Sequence, residues 1–262
     1  MLYAIPTYNC NLNCQHCDLH LKKDEYNEEK FIKALNDIEE SEITLFGGEP
    51  LLYKDRFKKC VETNKITSVS TNLLLLDREY IELFKKYNLN IATSWNLFRF
   101  NEKQYKQWLE KLELLEKYDL KCIILITLTD DLLSYNIEKF LQMLDEWNLI
   151  KSIDGILFEH LIDDNATQEL HIRADEWLCR LHNYWEYDFE NLIEKRIKNW
   201  DCDCSKIKTL MPNGEIKNGC PQYEKSFVID KCFNCDLVNI CRPCRLQNKC
   251  SFPQKLYRKV YG

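Results

Sequence analysis

Short apolar runs alternate along this chain with longer stretches of helical period. The runs are Leu2–Pro6, Ile43–Phe46, Ile66–Ser70, Leu89–Ser94, Leu120–Thr127 and Ile153–Phe158. They have strand length and read as strands buried on both faces, as in a parallel sheet. Between them, helical patterns run over Glu28–Glu39, Asp55–Thr63, Asp77–Tyr87, Asn101–Tyr118 and Ser134–Asn148. Asp77 and Ser134 are the candidate N-caps. A sixth helix near Ala174–Asp188 would close the array. Strands and helices alternating in this way predict an α/β fold of βα units around a parallel sheet.

Composition narrows the function classes. The chain has 262 residues, 45% hydrophobic and 30% charged, which is ordinary for a globular protein with a sizeable core. A net charge of −6 without a long basic run points away from a nucleic-acid surface. No apolar stretch approaches membrane-spanning length, so no membrane association is expected. The opening MLYAIPTYNC has neither the basic nor the apolar region of a signal peptide, so a cytoplasmic location is expected. In that compartment fourteen cysteines argue for metal ligation rather than disulfides.

Two motifs carry the chemistry. Cys10, Cys14 and Cys17 are spaced Cys-x3-Cys-x2-Cys directly after the first apolar run. Three thiolates can hold three corners of an iron–sulfur cubane and leave one iron open. A zinc site completed by His16 or His20 is the alternative. The second motif is Gly47-Gly48-Glu49-Pro50, at the end of the second run. The chain has only six glycines, and an adjacent pair at a strand end permits a sharp turn and close backbone approach to a ligand. A plain strand-to-helix turn would need no more than this.

Together the two motifs resemble the radical S-adenosylmethionine (SAM) superfamily. The resemblance implies a partial (β/α)6 barrel of the TIM type over residues 1–198. It implies that Cys10, Cys14 and Cys17 ligate a 4Fe–4S cluster whose open iron is chelated by SAM, and that Gly47, Gly48 and Glu49 hold the SAM amino group. His16 stands where the family usually has an aromatic residue, and its flat ring can pack beside adenine.

In barrels of this kind chemistry gathers at the C-terminal ends of the strands. Those ends carry Ser70-Thr71-Asn72, Thr93-Ser94-Trp95-Asn96, Thr127 and Thr129, and Glu159-His160. The resemblance supports Asn72 and Ser94 as SAM contacts, although Ser, Thr and Asn also simply end strands and cap helices. Glu159 and His160 are the candidates facing substrate.

The texture changes from Asp201 onward. Cys202, Cys204, Cys220, Cys232, Cys235, Cys241, Cys244 and Cys250 fall within 49 residues, with Gly214 and Gly219 among them. Zinc ribbons also use Cys-x2-Cys pairs. Behind the first triplet, however, this field resembles the SPASM extension of radical SAM enzymes, with two spacings differing by one residue. The resemblance implies a small Cys-rich domain, residues 199–262, carrying two auxiliary 4Fe–4S clusters and bringing the total to three. Cys202, Cys204, Cys220 and Cys244 would hold one, and Cys232, Cys235, Cys241 and Cys250 the other. So small a region has little core, and crossed metal ligation would staple it. Cys60, Cys122 and Cys179 read as buried core thiols.

The implied activity is reductive cleavage of SAM to a 5′-deoxyadenosyl radical that abstracts a substrate hydrogen atom. The electron would come from an external donor such as flavodoxin or ferredoxin. SPASM-type relatives mostly modify peptides or proteins, so an oxidoreductase or peptide-modifying enzyme is the first expectation. A small-molecule or carbohydrate dehydrogenase or epimerase is the alternative, and a non-catalytic Fe–S redox carrier is disfavoured. No peptide-binding domain precedes the first strand, which weakens a leader-peptide reading but leaves room for a separate peptide-recognition protein as partner. Pro221 follows Cys220, where sulfatase-maturing relatives place an Asp, which argues against that activity. Anaerobic reconstitution should load about twelve irons per chain, and replacing Cys10, Cys14 and Cys17 together by Ala should leave about eight. Iron and zinc analysis checks this, and stoichiometric zinc with little iron would overturn it.

Overall fold

The computed structural model describes residues 2–14, 17, 19, 22–160, 170, 173–174, 176–178, 180–181 and 208–218; at 159 and 160 it describes the backbone. The strands are β1 (Leu2–Ala4), β2 (Ile43–Leu45), β3 (Ser68–Thr71), β4 (Asn90–Trp95), β5 (Cys122–Leu128), β6 (Ile153–His160), β7 (Lys208–Leu210) and β8 (Ile216–Asn218). They form one sheet in the order β6-β5-β4-β3-β2-β1-β7-β8. Pairing is parallel from β1 through β5 and between β1 and β7, and antiparallel between β7 and β8. Helices α1 (Glu28–Asp37), α2 (Lys54–Glu62), α3 (Arg78–Lys86), α4 (Glu102–Lys117), α5 (Asp130–Ser134) and α6 (Ile137–Asn148) connect successive strands. The α/β alternation read from the pattern is therefore present, and the sheet is dominated by parallel pairs.

The chain divides into two compact units. The first holds the described residues up to Ile126, Glu146–Phe158 and 208–218; the second holds Thr127–Asp145 and the described residues from 159 to 181. Among the described residues no helix is long and apolar enough to cross a membrane.

Local chemistry starts the helices where polar caps stand. The side chains of Asn27 and Asp77 accept the Lys30 and Tyr80 amides, and Asn101 with Gln104 forms a full capping box. Ser134 is not a cap. It is the last residue of α5, and the Asn136 side chain accepts the Lys139 amide at 3.0 Å to start α6. The expected helix thus starts three residues later, as α6, and a short helix not read from the pattern, α5, precedes it, separated by Tyr135-Asn136. Thr129, expected among the strand-end hydroxyls, caps α5 by accepting the Leu132 amide.

Two aromatic clusters fill the first unit. Phe57 meets Tyr80 and Phe84 edge-on at 5.3 and 5.8 Å. Trp147 meets Trp95 and Trp108 edge-on at 5.0 and 5.4 Å. The Trp108 indole donates to Thr93 Oγ1 at 3.1 Å, so that strand-end hydroxyl belongs to the core. Cys60 and Cys122 are buried, as expected, and Cys122 opens β5 at the end away from the strand mouths. Cys179 and residues 182–188 of the expected sixth helix lie outside the described residues, whereas those described between 173 and 181 are helical.

Residues 208–218 belong to the segment read as a C-terminal domain, yet they extend this sheet. β7 covers the edge of β1, which would otherwise expose unpaired backbone groups beside two fully buried side chains, Leu2 and Ala4. A side chain at Gly214, in the turn between β7 and β8, would begin 2.6 Å from Lys30 Cβ on α1.

Candidate functional site

The loop leaving β1 carries the cysteines, and the segment leaving β2 lies along it. The Phe46 amide donates to Ala4 O at 2.9 Å, the Gly48 amide to Thr7 O at 3.0 Å and the Glu49 amide to Asn9 O at 2.9 Å. This approach admits no side chains. A Cβ on Gly48 would stand 2.1 Å from Asn9 O and 2.4 Å from Tyr8 O. Gly47 has φ +136°, and a Cβ there would lie 2.5 Å from Thr7 O. The glycine pair does permit close approach, as the sequence suggested, and what comes close is the backbone of the cysteine loop.

Glu49 ends this ledge with a carboxylate that is 1% exposed. Its Oε1 accepts the Leu51 amide at 2.9 Å and the Thr71 hydroxyl at 2.6 Å; its Oε2 accepts the Asn72 amide at 2.8 Å. Glu49 thereby caps the 3-10 turn Pro50–Leu52 and ties the end of β2 to the end of β3. An ionised carboxylate accepts at about four lone-pair positions, so three bonds leave room for one more donor. Burial pushes its pKa above the usual range, against these bonds and the nearby Arg99. A cationic group at the remaining position would favour the charged form.

Asn72, 1% exposed, sits beside Glu49 just after β3. Its Nδ2 donates to Asn11 Oδ1 at 2.7 Å, and its Oδ1 accepts the Leu74 amide at 3.0 Å. The same Nδ2 also stands 3.9 Å from Cys10 Sγ. Asn72 thus grips the cysteine loop next to Cys10. Ser94 lies near the end of β4 and is half-buried.

Cys10, Cys14 and Cys17 are half-buried free thiols. Cys10 Sγ accepts the Leu12 amide at 3.4 Å, and the Cys17 amide donates to Cys14 O at 3.2 Å. Burial pushes the Cys10 thiol up to about 11 and raises Cys14 as well, with Arg99 opposing both. Among the described residues no three His, Cys, Asp or Glu side chains surround a point suited to one metal ion. A four-iron cluster instead takes thiolates spread over separate corners, and three thiols on one loop are a suitable donor set for it.

Arg99 went unnoticed in the sequence. It lies in the turn after β4, its amide donating to Asn96 O at 3.1 Å, and its charge acts on Cys10, Cys14 and Glu49. Its Nε is buried and has no hydrogen-bond partner among the described residues. A buried donor of this kind calls for an acceptor, and an anion satisfies it best. No motif announces Arg99, because it meets the cysteines only through folding.

Of the other expected site residues, Glu159 and His160 are the last two residues of β6, in the second unit, with side chains outside the described set. His16, His20, Pro221 and Cys202, Cys204, Cys220, Cys232, Cys235, Cys241, Cys244 and Cys250 also lie outside the described residues.

The glycine ledge gives a direct test. Gly48→Ala should destabilise the metal-free protein by about 3 kcal/mol or more, since its Cβ meets two backbone carbonyls that have no room to yield. Denaturant unfolding of the metal-free variant checks this, and a wild-type midpoint would mean the ledge does not lie on the loop.

The chain resembles the solved structure of native anSMEcpe with bound AdoMet, with a TM-score of 0.71 and 18% identity over 100% of this chain and 95% of that one. It also resembles anSMEcpe with bound AdoMet and Cp18Cys peptide, with a TM-score of 0.69 and 17% identity over 99% and 94%. Streptococcus suis SuiB bound to S-adenosylmethionine matches with a TM-score of 0.59 and 16% identity, over 92% of this chain and 69% of that one. At these identities the likeness is one of fold. No curated protein matches the chain significantly. The family model described as the Radical SAM superfamily matches residues 4–146, a span that contains the three cysteines, the glycine ledge, Asn72 and Arg99. Since that match covers more than half of the sequence, the chain belongs to the radical SAM superfamily.

Proposed function

We propose that this protein is a radical SAM enzyme that modifies a peptide or protein. Membership of the superfamily brings SAM and one 4Fe–4S cluster with it. The observation that carries the reading is the glycine ledge lying along the cysteine loop, with Glu49 and Arg99 both close enough to act on Cys10.

Within this reading Cys10, Cys14 and Cys17 ligate the cluster. The ledge Gly47–Glu49 would receive the SAM amino group, with the fourth acceptor position of Glu49 left for its charge. The buried Nε of Arg99 suits the SAM carboxylate. Asn72 fixes the loop beside Cys10, Ser94 supplies a hydroxyl at the β4 mouth, and His16 packs beside adenine. When bound, the cluster and SAM supply a carbon-centred oxidant able to take a hydrogen atom from an unactivated C–H bond. The protein's part is to orient substrate and exclude water. Glu159 and His160, ending β6, are assigned to the substrate side. The eight C-terminal cysteines are assigned to two auxiliary 4Fe–4S clusters in a SPASM-type domain. A flavodoxin or ferredoxin supplies electrons in the cytoplasm, and a separate protein presents the peptide.

The peptide class is favoured by the company this fold keeps. Solved structures similar to this chain include anSMEcpe with Cp18Cys peptide and SuiB bound to precursor peptide SuiA. Reduced, reconstituted enzyme with SAM should release 5′-deoxyadenosine, and a peptide library should raise that rate and show a mass change in one member. Activation by sugars or amino alcohols and not by peptides would move the assignment to the small-molecule class. No 5′-deoxyadenosine under any condition would leave a redox carrier.

Glu49 tests the SAM assignment separately. Glu49→Gln should weaken SAM binding about tenfold, because a neutral amide pairs less well with an ammonium. Iron content should not change. Equilibrium titration of the reconstituted variant checks this, and unchanged affinity would remove the Glu49 side chain from the SAM site.

A further inference from the structure

A second network grips the start of the cysteine loop, ahead of the Asn72 contact at Asn11. Its centre is the ion pair of Arg56, on α2, with Asp24, in the segment before α1. Arg56 Nη1 donates to Asp24 Oδ2 at 3.0 Å and to Pro6 O at 3.0 Å. Asp24 Oδ1 accepts the Tyr8 amide at 3.2 Å; its Oδ2 accepts the Thr7 hydroxyl at 3.0 Å and the Asn9 side-chain amide at 3.4 Å. Asn9 Nδ2 also donates to the Tyr53 hydroxyl at 2.8 Å. All four residues from Pro6 to Asn9, the approach to Cys10, are therefore tied to this pair.

The pair is built to hold still. The two side chains are 21% and 11% exposed, so solvent and salt screen them little. The Arg56 guanidinium lies against two tyrosine rings, 3.9 Å from the Tyr26 centroid and 4.3 Å from that of Tyr53. Tyr26 in turn packs against Phe31 in the core of α1. A guanidinium held against two rings lacks the rotamer freedom that makes most surface ion pairs weak.

Thr7 passes this order on. Its hydroxyl donates to Asp24 and accepts the Asn9 amide at 3.1 Å, while its carbonyl accepts the Gly48 amide. The same residue therefore joins the ion pair to the glycine ledge. We infer that Arg56 and Asp24 are positioning residues that hold the approach to Cys10, and through Thr7 the Gly47–Glu49 ledge, so that the thiol and the ledge face each other before any cluster is bound. This rests on the proposed function only for the reason the loop must be held; the clamp itself is a property of the metal-free chain.

The test uses metal-free full-length protein. Iodoacetamide labelling, resolved cysteine by cysteine by mass spectrometry, reads the loop at Cys10. Cys60, fully buried on α2 one turn beyond Arg56, is an internal control for the helix. Arg56→Ala should speed labelling of Cys10 about tenfold while leaving Cys60 within about twofold of wild type. Arg56→Lys should restore part of the protection, because an ammonium can meet Asp24 or Pro6 but lacks the planar face that packs on the tyrosine rings. Asp24→Asn should loosen Cys10 like Arg56→Ala without removing side-chain volume, and it serves if the alanine variant fails to fold. Cys10 and Cys60 rising together would make Arg56 a general support of α2 and overturn the proposal. Unchanged Cys10 labelling in Arg56→Ala or Asp24→Asn would also overturn it. Because no SAM or iron enters, a failure here is distinct from a failure of the radical SAM reading, which 5′-deoxyadenosine formation reports.

Discussion

The approach of two backbones, Thr7–Asn9 and Gly47–Glu49, is the constraint on which the site depends. At Gly48 it leaves no space even for a methyl group, since the Tyr8 and Asn9 carbonyls stand where a Cβ would be. Two amide-to-carbonyl bonds carry the pairing of β1 and β2 past the ends of those strands. The cysteine loop is thus an extension of the sheet and inherits its rigidity. A loop free of such contacts would have to be ordered when its ligand bound, at a cost in conformational entropy.

Glu49 turns this local pairing into a joint between strands. Its carboxylate collects donors from the 3-10 turn after β2 and from the end of β3, and Asn72 passes the connection to Asn11 in the cysteine loop. In a parallel sheet all of these ends lie on one side, so short side chains can bridge them. Holding a carboxylate in a buried position is unfavourable unless donors surround it. Three donors and the nearby Arg99 answer that cost in part, and burial still raises its pKa. In the proposed reading, this carboxylate and Arg99 meet the ammonium and the carboxylate at the amino-acid end of SAM.

Different parts of this arrangement were legible in the sequence to different degrees. The strands could be read because runs such as Ile43–Phe46 are apolar and short, and a helix start could be read at Asp77 because a cap is local chemistry. Ser134 misled because a serine before an apolar run has the same pattern whether it starts a helix or ends one. Only the backbone path distinguishes these, and here Asn136 holds the cap. The residues after Asp201 were read mainly as a cysteine pattern, and that pattern gave no sign that Lys208–Leu210 pairs with β1, some two hundred positions earlier.

What the sequence alone determined was chemistry that depends on neighbours along the chain. The spacing of Cys10, Cys14 and Cys17 and the run Gly-Gly-Glu-Pro identify the family because closely spaced ligands and a strained turn must be encoded locally. The alternation of apolar runs and helical periods likewise identifies an α/β fold, since burial periodicity is a property of each element. Only the tertiary structure decided which groups meet across the fold. It set the carbonyls of Tyr8 and Asn9 against Gly48, the Arg99 charge near Cys10 and Cys14, and Arg56 with Asp24 on the approach to the first cysteine. These partners lie 32 to 89 positions apart in sequence, or belong to loops without a motif, so nothing in local propensity or spacing specifies their contact. They are brought together by the packing of α1, α2 and the strand ends, and that packing exists only once the sheet has formed.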